Sequence, residues 1–293
     1  MKQRNIINDL LLLLASVIWG FAFVAQRKGM EHIGPFLFNG IRFFLGALVL
    51  LPFIIKNNAL SDFWQRRSFV RTRPFIQLGG LLFAGASLQQ IGIVYTTAGK
   101  AGFITGLYVI LVPILGIFIG RKTGKLTWMG AILAVVGMYF LSIKGDFSIA
   151  KGDVFVLTGA FFWAMHVLTV DKFANREDPI LLAFGQFLFT SVLSLMVAMG
   201  MEDIRFHSIM AVLMPILYAG ILSSGVAYTL QVVAQRKAHP SHAAIILSLE
   251  SPFAALGGFL LLNEILSGRE LFGCLLMLAG MLLSQAMYFK KSG

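Results

Sequence analysis

The sequence predicts an all-α polytopic membrane protein, with ten transmembrane helices arranged as two inverted five-helix repeats. Three observations carry this. The 293 residues are 58% hydrophobic and 13% charged, with a mean hydropathy of +0.83, whereas a soluble domain carries about 25% charged residues. Apolar runs recur at the length of a membrane span, roughly 20 residues. Landmarks also repeat at half the chain length. Trp19 and Trp163 lie 144 positions apart, as do Pro35 and Pro179, and GAILAVVG (Gly130 to Gly137) returns at nearly that offset as GCLLMLAG (Gly273 to Gly280). Five spans per half is an odd number, so the second half enters the membrane upside down. Inverted repeats with a site at the bilayer midplane are the architecture of secondary transporters.

The spans are taken in order. The start (Lys2, Arg4, then an apolar run from Leu10) mimics a signal peptide, but the run reaches about Ala25 without a small-residue cleavage site and more spans follow. It reads as an uncleaved first helix, at 8–26. The second, at 34–55, opens on Pro35, and the seventh, at 180–200, opens after Pro179; proline suits a first helical turn, where its missing N–H has no intrahelical partner. Further helices are expected at 75–95, 101–120, 126–143, 154–171, 209–232, 241–262 and 270–289. Pro113 in YVILVP and Pro252 in LSLESP fall inside the fourth and ninth. Mid-helix proline frees a carbonyl and bends the helix, which membranes tolerate beside protein or a wet cavity. The repeats divide the chain at 1–145 and 146–293.

Loops are short except Lys56 to Pro74, which carries Arg66, Arg67, Arg71 and Arg73. With Arg121, Lys122 and Lys125 after the fourth span, and Arg236 and Lys237 after the eighth, these put both termini in the cytoplasm by the positive-inside rule. For a bacterial chain the membrane would be the inner one. The net charge of +11 is scattered through short loops, with no basic domain to hold a duplex, so nucleic acid is not an expected partner. The expected partners are a small-molecule solute and membrane lipid, and monomer and homodimer both stay open. No cofactor is called for: GKAGFITG (Gly99 to Gly106) lacks P-loop spacing, Cys274 is the only cysteine, and the five histidines form no metal-binding spacing.

Polar residues inside spans point to a site. Arg42 lies near the middle of the second helix and Glu250 near the middle of the ninth, where a charge costs roughly 2.5–3.5 kcal/mol on insertion scales. At offset 144 Arg42 faces Gln186, and at offset 139 Glu250 faces Leu111, so the repeat shares neither charge. Arg42 is either a contact for a substrate anion or a clamp bonding carbonyls or Glu250. Glu250 is either a structural pair beside Pro252 or a titrating group. Asn39 shares the helical face of Arg42 at i−3. Ser224, Tyr228 and Gln231 give the eighth helix one polar face, while Gln89, Gln90 and Tyr108 are further inward candidates. Trp19 and Trp163 either pack or form aromatic walls, and His166 shares a face with Trp163. The candidate substrate-binding set is Trp19, Asn39, Arg42, Gln89, Tyr108, Trp163, Tyr228 and Glu250; no residue is assigned a catalytic or metal role.

At these residues the chain resembles the ten-helix EamA-type transporters of the drug/metabolite transporter superfamily. The likeness is carried by WGFAF (Trp19 to Phe23), by Pro35 seven residues before Arg42, and by YTTAGKAGFITGLYVILVP (Tyr95 to Pro113). LESP (Leu249 to Pro252), NEIL (Asn263 to Leu266) and GCLLMLAG complete it. The resemblance implies a basket of two inverted halves around a central cavity, exporting metabolites such as amino acids by alternating access; drug efflux lies within the same family. Four-helix multidrug relatives depend on a first-helix glutamate. This chain has no acid between Asp9 and Glu31, so that cation/proton mechanism is not expected. A multispan enzyme acting on lipid is the alternative class, but such sites gather His, Asp or Glu near one interface, a pattern missing from this sequence.

Overall fold

Pro35 and Pro179 begin helices in the computed structural model, which describes residues 6–56, 69–96, 98–142, 151–262 and 267–289. The helices they open are α2 (Pro35–Lys56) and α7 (Pro179–Met201). The two caps differ. Asp178 accepts from the backbone N–H groups of Ile180 and Leu181 in its own helix, both at 2.9 Å. The free N–H groups of Phe36 and Leu37 donate instead to Glu202, at 2.8 and 2.7 Å, from the far end of α7. Each arrangement satisfies donors that the first turn leaves unpaired.

The other single-piece helices are α1 (Ile6–Gly29), α3 (Phe69–Tyr95), α5 (Lys125–Ser142), α6 (Lys151–Phe173) and α10 (Gly268–Phe289). Three spans are composite where continuous helices were expected. α4 consists of Ala98–Gly106 and Tyr108–Phe118, and α9 of Pro240–Leu247 and Glu250–Leu262. α8 comprises Phe206–Ala211, Leu213–Leu217, a π-helical stretch Tyr218–Tyr228, and Thr229–Gln235. Eight of these spans are long and apolar enough to cross a membrane; α5 is shorter but apolar, and α10 packs along it. Among the described residues there is no strand. Residues 57–68 of the arginine-rich loop and Asn263 to Leu266 of the NEIL motif lie outside the described residues, as do Lys2, Arg4, Lys290 and Lys291.

The breaks in α4 and α9 have a local cause. Around Leu107 the backbone makes short i→i+3 bonds, from Leu107 N–H to Ile104 at 3.2 Å and from Ile110 N–H to Leu107 at 3.1 Å. In α9 the Ser248 hydroxyl donates back to the Ile245 carbonyl at 2.8 Å, competing with the helical ladder, and Pro252 cannot donate to the Ser248 carbonyl. The break therefore falls ahead of each proline rather than at it. The second pieces begin at Tyr108 and Glu250, so the broken helices match at offset 142. Glu250 corresponds to Tyr108, not to Leu111 as spacing from the prolines suggested.

Inversion of the halves is written in the glycines of α5 and α10. A Cβ on Gly130 would sit 2.5 Å from the Gly280 carbonyl oxygen, and one on Gly137 would sit 2.6 Å from that of Gly273. The first glycine of each motif meets the last glycine of the other. These equivalent helices therefore run antiparallel, in close small-residue contact of the kind membranes favour. Pairings between elements repeat under exchange of the halves: α3 packs on α6 as α1 packs on α8, and α2 packs on α7. Outward faces carry exposed Phe44, Leu48, Met196, Leu260 and Leu275, the apolar exterior that lipid requires. Buried polar side chains collect inside.

Candidate functional site

A cavity of about 40 Å³, room for a few waters on the usual measure, lies where α1, α2, α3, α4, α6, α8 and α9 converge. Seven of the eight candidate residues line it: Trp19, Arg42, Gln89, Tyr108, Trp163, Tyr228 and Glu250. Asn39 does not. It is fully buried one turn from Arg42, and neither amide atom has a hydrogen-bond partner among the described residues.

The walls are aromatic. Tyr228 packs between the repeat-related tryptophans, its ring centroid 4.6 Å from that of Trp19 and 5.9 Å from that of Trp163, nearly parallel to the latter. Both indole N–H groups are spent on protein. Trp19 donates to the Ser223 carbonyl at 3.2 Å, and Trp163 donates to Gln89 Oε1 at 2.9 Å. Gln89 passes the order on by donating to Gln26 Oε1 at 3.1 Å. The tryptophans are thus fixed in orientation and keep no N–H for a ligand, leaving their faces as the useful surface.

The charges are set into these walls. Arg42 is 2% exposed, with its guanidinium carbon 4.6 Å from the Phe43 ring centroid and 5.9 Å from that of Phe38. Its Nε and Nη2 have no hydrogen-bond partner among the described residues, and no ion pair joins it to Glu250. Neither of these two nitrogens therefore bonds a carbonyl or Glu250 among the described residues. Glu250 is 5% exposed; its Oε1 and the Tyr108 hydroxyl have no close hydrogen-bond partner among the described residues, and the two side chains lie within electrostatic reach of each other. Both residues open the second piece of a broken helix, where free backbone N–H groups and the positive end of the helix dipole favour negative charge. Gln186, the repeat counterpart of Arg42, is engaged elsewhere, 2.7 Å from His166 Nε2.

Phe23, Gln26, Thr105, Val167, Ser223, Gln231 and Leu247 also line the cavity. Gln231 was legible as part of the polar face of α8. Ser223 was not, because α-helical spacing selects Ser224. In the π-helical stretch each turn closes at i+5, which brings Ser223 and Tyr228 to one side. Gln26 is masked in the sequence by its position beside Arg27, at what reads as a helix end.

A half-repeated bundle of apolar helices, closed around a charged and aromatic chamber, defines an integral multi-pass membrane protein of the transporter class. A model of the EamA-like transporter family matches twice, over residues 6–143 and 150–285, and the chain belongs to that family. It is 33% identical over 281 residues to an uncharacterized transporter of Archaeoglobus fulgidus, covering 96% of this chain and 86% of that protein. A probable amino-acid metabolite efflux pump of Salmonella typhimurium is 24% identical over 296 residues, covering 94% of this chain and 93% of that protein. A solved crystal structure of a protein superposes with a TM-score of 0.78 at 18% identity, covering 99% of this chain and all of that one; this shows the fold.

Proposed function

We propose that the protein is a secondary transporter that exports small zwitterionic, amino-acid-like metabolites by alternating access of its two inverted halves. One observation carries the reading. The cavity joins an unpaired guanidinium, an unpaired carboxyl oxygen and three aromatic faces in one chamber. A substrate carboxylate would engage Arg42 through charge-assisted hydrogen bonds. Its ammonium would engage Glu250 and the faces of Trp19, Trp163 and Tyr228 by cation–π attraction. Gln89 and Tyr108 would set orientation, and Asn39 would support Arg42 from behind. The Salmonella relative's name supports an amino-acid-like solute, and the basic loops support cytoplasmic termini in the inner membrane. The bilayer is then the lipid partner, and neither nucleic acid nor a catalytic step enters the reading. The protein works as a monomer or as a homodimer of complete sites, since all the cavity residues come from one chain.

The test is a thermal-stability and flux comparison on purified protein. Each amino acid is set beside its carboxamide, which lacks the carboxylate, and its des-amino acid, which lacks the ammonium. At least one zwitterion should stabilise the protein and move saturably across proteoliposomes, with both counterparts at least tenfold weaker. Equal responses to all three forms would overturn the charge assignment.

A further inference from the structure

Asp9 and Asp153 stand 144 positions apart, at the register of the two tryptophans, and each lies ten residues before the tryptophan of its own helix. Ten helical residues span about 15 Å, so each aspartate sits at the mouth end of a helix that reaches into the cavity. Five spans separate them, which places them on opposite faces of the membrane. Asp9 is on the face that carries the N-terminus.

Each makes its bond across the boundary between the halves. Asp9 Oδ1 lies 3.1 Å from His242 Nε2, and His242 Nδ1 lies 3.0 Å from the Ser284 hydroxyl. On the other face the Thr96 hydroxyl donates to Asp153 Oδ1 at 2.8 Å. The partners sit in comparable regions without being repeat equivalents. His242 lies in the first turn of the first piece of α9, and Thr96 lies between α3 and the first piece of α4. Each tryptophan-bearing helix is thus tied at, or just ahead of, the start of a broken helix whose inner part begins with the cavity residue Glu250 or Tyr108. The breaks at Leu107 and at Ser248–Leu249 are the points at which an outer piece would swing relative to its inner piece.

We propose that Asp9–His242 and Asp153–Thr96 are repeat-related latches, each shutting one mouth of the cavity, and that transport opens them in turn. All four residues are less than a tenth exposed, and the chamber that they flank is only about 40 Å³. Other bonds between the halves back each latch at its own face. Arg121 pairs with Asp171, and Thr123 meets Ser241 at 3.0 Å, on the Asp9 face. Glu202 caps α2 on the Asp153 face. A hydrogen bond of this kind is weak enough to open and directional enough to close one geometry.

This inference rests on the alternating-access reading, but its test needs no solute. In a Cys274→Ser background, a reporter Thr105→Cys inside the cavity is labelled with a membrane-impermeant maleimide, in right-side-out and in inverted vesicles. Asp9→Ala, which removes the acceptor, should raise labelling at least threefold from the N-terminal face and leave it unchanged or lower from the opposite face. Asp153→Ala should do the reverse. His242→Phe and Thr96→Val should reproduce the effect of their partners, and they carry the test where an aspartate variant fails to fold. Equal increases from both faces, or unchanged labelling in a variant that keeps the parental melting temperature, would overturn the latches. Failure of every zwitterion to bind would instead sink the substrate reading and leave the latches standing.

Discussion

Tyr108 and Glu250 are repeat equivalents: each is the first residue of the inner piece of a broken helix, and both face one cavity. The same backbone device is thus used twice, with a neutral hydroxyl in one half and a carboxyl group in the other. Chamber symmetry is broken at the chemistry rather than at the scaffold.

That asymmetry sets the first prediction. Glu250→Gln keeps the shape and removes the charge, so affinity for a zwitterion should fall by about 1.5–3 kcal/mol, the range for hydrogen bonds to charged groups, which is roughly ten- to hundredfold. Tyr108→Phe removes a neutral hydroxyl and should cost about 0.5–1.5 kcal/mol. Titration calorimetry with the best-stabilising zwitterion measures both. An equal loss in the two variants would show that Glu250 does not act through its charge.

Arg42 should separate stability from binding. An unpaired guanidinium inside the membrane costs roughly 2.5–3.5 kcal/mol on insertion scales, and replacing buried ionic groups with apolar ones of similar volume is often neutral or stabilising. Arg42→Met should therefore melt at or above the parental temperature while losing at least tenfold in zwitterion affinity. A variant that unfolds would mean that Arg42 is structural after all.

How far the sequence revealed this molecule differs by level. Apolar run length and the half-length repeat of Trp, Pro and Gly landmarks disclosed a polytopic helical bundle and the antiparallel pairing of α5 with α10, because lipid imposes span length and close helix contact demands glycine. Arg42 and Glu250 stood out because charge is rare at span centres. The breaks were less legible. Pro113 and Pro252 announce a disturbance, yet its place depends on which carbonyl each serine or leucine leaves free, and the register shifted from offset 139 to 142. Ser223 was hidden because a π-helical turn changes which residues share a face, and no local residue preference signals that turn. Asn39 misled for the opposite reason: sharing a helical face with Arg42 does not ensure reaching the same cavity.

The glycines of α5 and α10 give a stability prediction. Methyl groups on Gly130 and Gly137 would press on the carbonyl oxygens of the opposite helix at 2.5 and 2.6 Å. Overpacking costs about 1–3 kcal/mol, so Gly130→Ala and Gly137→Ala should each lower the melting temperature in detergent. Gly80 and Gly200 have nothing within 4 Å. There, alanine should be neutral or stabilising by up to about 1 kcal/mol, since glycine is the poorer helix former. Equal melting temperatures across the four variants would contradict the close contact.

The two tryptophans should respond unequally to the same change. In Trp163→Phe the ring face survives, but Gln89 Oε1 loses its donor while still buried, a penalty of about 1–3 kcal/mol. Gln89 is also freed to turn away from Gln26, so both stability and affinity should fall. Trp19 donates to the Ser223 carbonyl, a backbone acceptor with a second lone pair and a place in the helical ladder. Trp19→Phe should therefore cost less stability, about 0.5–1.5 kcal/mol for one hydrogen bond. Adding Gln89→Leu to Trp163→Phe removes the stranded acceptor and should recover part of the melting temperature without restoring affinity. Recovery of neither, or of both together, would show that the indole–amide bond does not fix the chamber wall.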